Sequence, residues 1–142
     1  MCGDLTATFG DEIIDVTNLC FGDRSFDAVI CNHVLEHVAD DRAAVRELRR
    51  VLATGGWAIL LVPDVEGQST IEDPSIEDPS ERSRLYGRED HVRKYGRDYL
   101  DRLADAGFVR EAIDLADELP AHLIARYRLE KFHAVEPIFL CR

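Results

Sequence analysis

The sequence predicts an α/β domain with a mainly parallel sheet and flanking helices. Three observations carry that expectation. Apolar runs alternate with amphipathic stretches along the chain, the pattern of strand–helix–strand units. One run, WAILLVP (57–63), is apolar at every position, as a strand buried on both faces must be. Gly, Asp and Pro punctuate the runs where elements should end.

The elements follow in order. EIIDV (12–16) is a short apolar run holding Asp15, and TNLCFGDRS (17–25) is a turn-rich loop. FDAVICN (26–32) is a second run, β-branched in its middle. In HVLEHVADDRAAVRELRRVLATGG (33–56) the second half is a helix, because Val45, Leu48, Val51 and Leu52 form one stripe. Asp40 or Asp41 can cap its start and Gly55 can stop it. After WAILLVP comes a stretch with IEDPS twice in tandem, too few copies for a repeat architecture. It reads as a solvated loop broken by Pro74, after which Asp78 caps a short helix with Pro79 at its first position. RDYLDRLADAGF (97–108) is an amphipathic helix through Tyr99, Leu100 and Leu103, ended by Gly107. VREAIDL (109–115) alternates as a strand, PAHLIARYRL (120–129) is helical, and PIFLC (137–141) is a last strand with Pro137 at its start or on an edge. The last two strands lack a crossover of the earlier type, so an antiparallel strand is expected near the C-terminus.

The 142 residues are enough for one domain with a real core. A formal net charge of −11 opposes nucleic-acid and anionic-membrane partners, which require clustered Lys and Arg. No apolar run approaches the ~20 residues that span a bilayer. MCGDLTATFG has neither the basic nor the apolar region of a signal peptide. Cys2, Cys20, Cys31 and Cys141 show no C-x-x-C pairing, and Cys31 and Cys141 sit in apolar runs as small hydrophobes. A cytoplasmic location with free thiols is the expectation.

His33, Glu36 and His37 form His-x-x-Glu-His, a metalloprotease signature. Such enzymes carry the pair within a long helix and add a third ligand. Here His33 follows a strand at once, and Asp40 and Asp41 start a new helix soon after. His91, His122 and Glu111 are candidate third ligands with no motif around them. No metal is therefore expected.

SFDAVICNHVLEHVADDRAAVRELRRVLATGGWAILLVPD (25–64) resembles the central block of class I S-adenosylmethionine-dependent methyltransferases of the type-11 group. That block runs from S-F-D and an apolar strand through L-E-H, a helix with R-V-L and a Gly-Gly turn to a second apolar strand. EDPSERSRLYGREDHVRKYGRDYLDRLADAGF (77–108) resembles a subgroup of the same enzymes. The resemblance implies a Rossmann-like fold, S-adenosylmethionine as cofactor, and methyl transfer to an unknown acceptor, a small molecule or a macromolecule.

Residue roles follow from it position by position. Asp4 falls where the family binds the ribose hydroxyls, and Asp15 where it accepts from the adenine amino group; Asp15 also reads as an Asp that opens a turn. The Val16 N–H would face an adenine ring nitrogen. Asn32 and His33 match positions that contact the methionine part. Methyl transfer mostly needs positioning, because the sulfonium is already activated. Where an acceptor must lose a proton, His37 and His91 are the candidate bases. Each also reads as a polar residue bonded to its surroundings, and Tyr95 as either an acceptor-pocket or a core residue.

The sequence contains no Gly-x-Gly, the loop that follows the first family strand. A single N-terminally truncated domain over 1–142 is expected, either a methyltransferase impaired by the missing loop or an inactive remnant acting as an interaction module. In the family order FDAVICN lies inside the sheet beside the first strand. Its Ala28–Cys31 core has no charge or Pro to guard a bare edge, so strand rearrangement or a homodimer through that edge is expected.

Overall fold

The computed structural model describes residues 3–4, 12–63, 67–113, 120–127 and 138–142, with the backbone alone at 3–4, 110–113, 127 and 138–139. Strands β1 (Gly3–Asp4) and β2 (Glu12–Ile13) pair in parallel. Strand β3 (Phe26–Asn32) is followed by a single 3-10 turn (Leu35–His37), helix α1 (Asp41–Val51) and β4 (Leu52–Leu61), which lies parallel to β3. Then come β5 (Ile71–Glu72), α2 (Pro79–Tyr86), β6 (Arg93–Lys94), α3 (Tyr99–Asp105), β7 (Arg110–Ile113), α4 (Ala121–Tyr127) and β8 (Ile138–Cys141). The main sheet has the order β3-β4-β8-β7, with β8 antiparallel to both neighbours. The α/β architecture with flanking helices and an antiparallel C-terminal strand is the one the sequence predicts.

Helix α1 forms because its apolar stripe has a face to cover. Ala44, Val45, Leu48 and Val51 are buried with Cys31, Leu52, Ala58 and Leu60 in one core cluster. Each fully buried Val or Leu contributes about 1.5–3 kcal/mol. Asp40, not Asp41, is the cap, accepting from the Ala43 N–H at 2.8 Å. Arg50 in the last turn reaches the carbonyls of Leu19 (3.0 Å) and Phe21 (2.8 Å), and Glu47 accepts from the Leu19 N–H (2.9 Å). The loop after β2 is thereby fastened to α1.

The elements differ from expectation at their ends. α1 stops at Val51 and the chain enters β4 directly, earlier than Gly55 would place the boundary. Gly55 instead takes φ +81° inside β4, where the register with β3 jumps from Phe26↔Leu52 to Ala28↔Trp57. A left-handed residue lets the extra length bulge out. The first IEDPS is not wholly loop: its Ile71 and Glu72 pair antiparallel with Lys94 and Arg93. The second does as predicted, with Asp78 accepting from the Glu81 N–H at 2.9 Å and Pro79 opening α2. The predicted strand over 109–115 is Arg110–Ile113, and the helix over 120–129 is Ala121–Tyr127; positions 114–115, 128–129 and 137 lie outside the described residues.

The pleat divides the sheet into two unlike faces. Val29 and Cys31 with Ala58 and Leu60 turn to the core. Ala28 and Ile30, with Trp57 and Ile59, turn the other way, and Ile30 is 63% and Trp57 39% exposed. Among the described residues β3 pairs only with β4, which makes it an edge strand of the described sheet. No helix among the described residues is long and apolar enough to cross a membrane. Cys20, Cys31 and Cys141 are free thiols, and Cys2 lies outside the described residues.

Candidate functional site

Three of the residues singled out in the sequence stand at the carboxyl ends of parallel strands, where open α/β sheets bind ligands. Asp4 ends β1 opposite Ile13; its side chain lies outside the described residues. Asp15 comes two residues after β2, and Asn32 closes β3 opposite Leu61. His33 follows with φ +54°, a left-handed conformation that costs a non-glycine residue of order 1–2 kcal/mol. Its N–H is held by the Leu61 carbonyl at 3.0 Å. The strand end is therefore rigid and turned sharply.

Asp15 realises the turn reading. Its Oδ1 accepts from the Thr17 N–H (2.8 Å) and the Thr17 hydroxyl (2.7 Å). The Thr17 hydroxyl and backbone bonds hold its carboxyl below the usual carboxylate range, so it stays ionised. Its Oδ2 accepts no hydrogen bond among the described residues, and the residue is exposed. Val16 is half-buried against the core cluster, which fixes its backbone. An ionised carboxylate thus lies next to the half-buried Val16 at the end of this strand.

The His-x-x-Glu-His stretch is not one helix. His33 sits in its own left-handed turn, and Glu36 and His37 lie in the 3-10 turn, so the one-turn pairing of the two histidines does not form. Glu36 is 1% exposed; its Oε1 lies 3.6 Å from His33 Nδ1 and 3.8 Å from His37 Nε2, and its Oε2 has no hydrogen-bond partner. The fold brings His91 to this pair. His37 and His91 meet edge to face with ring centroids 4.8 Å apart. His37 Nδ1 lies 3.2 Å from the Asp90 carbonyl, and His91 Nδ1 lies 3.1 Å from the Tyr86 carbonyl. A carbonyl only accepts, so each Nδ1 is the donor in these contacts.

Ligand atoms of Glu36, His37 and His91 all lie within 4.8 Å of one another, and this is the set among the described residues that could hold a metal ion. Of the candidate third ligands whose side chains are described, His91 joins it. His122 is exposed on α4, and the Glu111 side chain is not described. Cys31 stands just behind; burial, and then the Glu36 charge, push its thiol up to about 12, which makes it an inert core residue.

Sequence reasoning offered Tyr95 as a core residue, as it is, but missed the charged groups that hold this region together. Tyr95 is a core residue, its hydroxyl donating to Asp41 at 2.7 Å. Arg93 and Arg102 are 4% and 7% exposed, and both reach Glu72. Arg102 bonds Asp41 at 2.7 Å, and Arg93 bonds the carbonyls of Leu35 and Ala39, each at 2.8 Å, and that of Val38. The signal was there in part: Arg102 follows Tyr99 by three and precedes Leu103, a charge set on an apolar stripe.

Residues 9–60 match the family model described as a methyltransferase domain. An uncharacterised 37.1 kDa protein in transposon Tn4556 of Streptomyces fradiae is 39% identical over 102 residues, covering 68% of this chain and 28% of that protein. Among solved structures, an S-adenosylmethionine-dependent methyltransferase from Mesorhizobium loti superimposes with a TM-score of 0.56 at 17% identity, covering 93% of this chain and 68% of that one. A 1,6-didemethyltoxoflavin-N1-methyltransferase from Burkholderia thailandensis, solved with its substrate and S-adenosylhomocysteine, gives 0.57 at 14% identity, covering 97% and 53%. The [4+2]-cyclase SpnF gives 0.57 at 18% identity, covering 91% and 54%. The chain thus spans about a quarter of the curated relative's length and about half of the cyclase's.

Proposed function

We propose that the class I S-adenosylmethionine-dependent methyltransferase domain this chain carries binds S-adenosylmethionine at the carboxyl ends of its parallel strands and serves methyl transfer to an acceptor on the His37 side. The observation that supports this best is the position of the family match. It spans 9–60 and so includes Asp15, Val16, Asn32, His33 and His37, each at a strand end or the turn beyond it. S-adenosylmethionine supplies a methyl group already activated on a sulfonium.

The chain's residues then have three tasks. Asp15 Oδ2 accepts from the adenine amino group, and the Val16 N–H donates to the ring, while Asp4 serves the ribose. Asn32 and the rigid turn at His33 bound the methionine end. His37, a third exposed with its Nδ1 proton committed to the Asp90 carbonyl, offers Nε2 to an acceptor proton, with buried His91 packed behind it.

Calorimetry with S-adenosylhomocysteine tests this. Asp15→Ala should weaken binding by about 1–3 kcal/mol, the cost of a lost charge-assisted hydrogen bond. Equal affinity of the variant and the wild type would remove the basis for the adenine assignment.

A second reading, a non-catalytic interaction module, is favoured by the exposed apolar face carrying Ile30 and Trp57. Calorimetric silence at millimolar S-adenosylhomocysteine would decide for it.

A further inference from the structure

The turn that carries Glu36 and His37 is held almost entirely by one later stretch of chain. The Val92 N–H donates to the Glu36 carbonyl at 2.9 Å. The Tyr95 hydroxyl, whose proton goes to Asp41, stands 3.3 Å from the Leu35 carbonyl, and the Asp90 carbonyl accepts from His37. Arg93 does the most: Nη1 reaches the carbonyls of Leu35 and Val38, Nη2 that of Ala39, and Nε the carboxylate of Glu72 at 2.8 Å. Four of the five N–H donors of one buried guanidinium are spent this way, three of them on backbone carbonyls of the turn and its exit, of which that of Leu35 also accepts from the Val38 N–H at 3.3 Å.

Arg102 makes a useful contrast. It is buried in the same ionic group and bonds the same Glu72 and Asp41, but it touches no carbonyl of the turn. Charge balance is therefore shared by the two arginines, whereas of the two Arg93 is the one that grips the turn.

We propose that Arg93 is a positioning residue for the methyl-donor site. By gripping Leu35, Val38 and Ala39 it fixes the turn after β3, and through that turn the backbone at Asn32 and His33 that bounds the methionine end. The segment after β4 is thereby tied to the donor side, so a change in one is felt in the other. The proposal rests on the methyltransferase reading above.

The test compares Arg93→Lys with Arg102→Lys in the full chain. Lysine keeps the buried charge but cannot reproduce the planar fork. Three quantities are read: the thermal midpoint, amide exchange over 34–39, and calorimetric affinity for S-adenosylhomocysteine. Both variants should lose stability. Arg93→Lys alone should speed exchange across the turn and weaken the ligand tenfold or more, while Arg102→Lys should change affinity less than twofold. Equal loss of affinity in the two variants, or unchanged affinity in Arg93→Lys, overturns the proposal. Should the wild type itself fail to bind, the methyl-donor reading falls and the donor-site role of Arg93 with it. The exchange comparison then still decides whether Arg93 shapes the turn. An Arg93→Lys chain that does not fold is replaced by Arg93→Gln, measured against Arg102→Gln on the same three readouts.

Discussion

Arg102 and Asp41 meet at 2.7 Å with both side chains nearly removed from water, at 7% and 5% exposure. Tyr95 donates to the same carboxylate oxygen at 2.7 Å, and Arg93 Nε stands 3.8 Å from it. Asp41 is the first residue of α1, so this contact joins the helix start to α3.

Removing one partner should cost more than the pair is worth, because the other charge stays buried. Arg102→Met is expected to destabilise the chain by about 3 kcal/mol in urea unfolding. Asp41→Ala with Arg102→Met should cost clearly less than the two single losses added together. Strict additivity would show that the contact is energetically empty.

Glu72 ties the same group to pH. Its hydrogen bond from Arg102, and then that from Arg93, hold its carboxyl well down, at about 2 against an ordinary 4.5. The unfolded chain therefore takes up this proton first as pH falls. The stabilisation is complete above about pH 5 and is withdrawn between 4.5 and 2. The side chain is 36% exposed, so water screens part of the effect. Denaturant titrations at pH 7, 4 and 3 should show stability falling in the wild type and falling less steeply in Glu72→Gln. Parallel slopes would place the acid sensitivity elsewhere.

Gly96 is required by proximity. A Cβ there would stand 2.4 Å from the Ser69 carbonyl carbon and 2.8 Å from its nitrogen, and backbone cannot swing aside. Gly96→Ala should lower stability by about 1–3 kcal/mol, the usual cost of overpacking. Gly56→Ala, whose Cβ would meet the Asp27 carbonyl oxygen at 2.8 Å, should behave alike. An unchanged thermal midpoint in both variants would mean these backbones are further apart in solution.

The uncovered side of the sheet predicts self-association. Ile30 and Trp57 lie exposed beside an edge strand that pairs only with β4 among the described residues. Light scattering should give a mass above the monomer's at tens of micromolar, and Ile30→Lys should return it to the monomer value. A wild type that scatters as a monomer throughout, with fast exchange at Ala28–Cys31, would mean the edge is simply left open.

Local, repetitive features were legible in the sequence. The stripe of α1, the Asp78–Pro79 start of α2 and the apolar β4 all follow from spacing that a few neighbouring residues set. Non-local ones were not. β5 and β6 are two residues each and pair across a long loop, with no period to read. His91 comes to Glu36 through long-range contacts of its stretch with the turn, so its motif does not exist along the chain. Arg93 reads as a surface charge because its acceptors are main-chain carbonyls, which every sequence has and none announces.

The doubled IEDPS has ended as two different structures from one word. In the first copy Glu72 enters a strand and an ion pair, while Asp73 folds back on Ser75. In the second, Asp78 and Pro79 begin a helix. Deleting either copy would leave the same shortened chain, since identical words cannot be told apart once one is gone. The surviving copy would then have its glutamate and aspartate side by side. It could furnish the partner of Arg93 and Arg102 or the opening of α2, but not both. The duplication holds two offices for which the amino-acid sequence supplies a single description, and losing five residues would force the protein to choose between them.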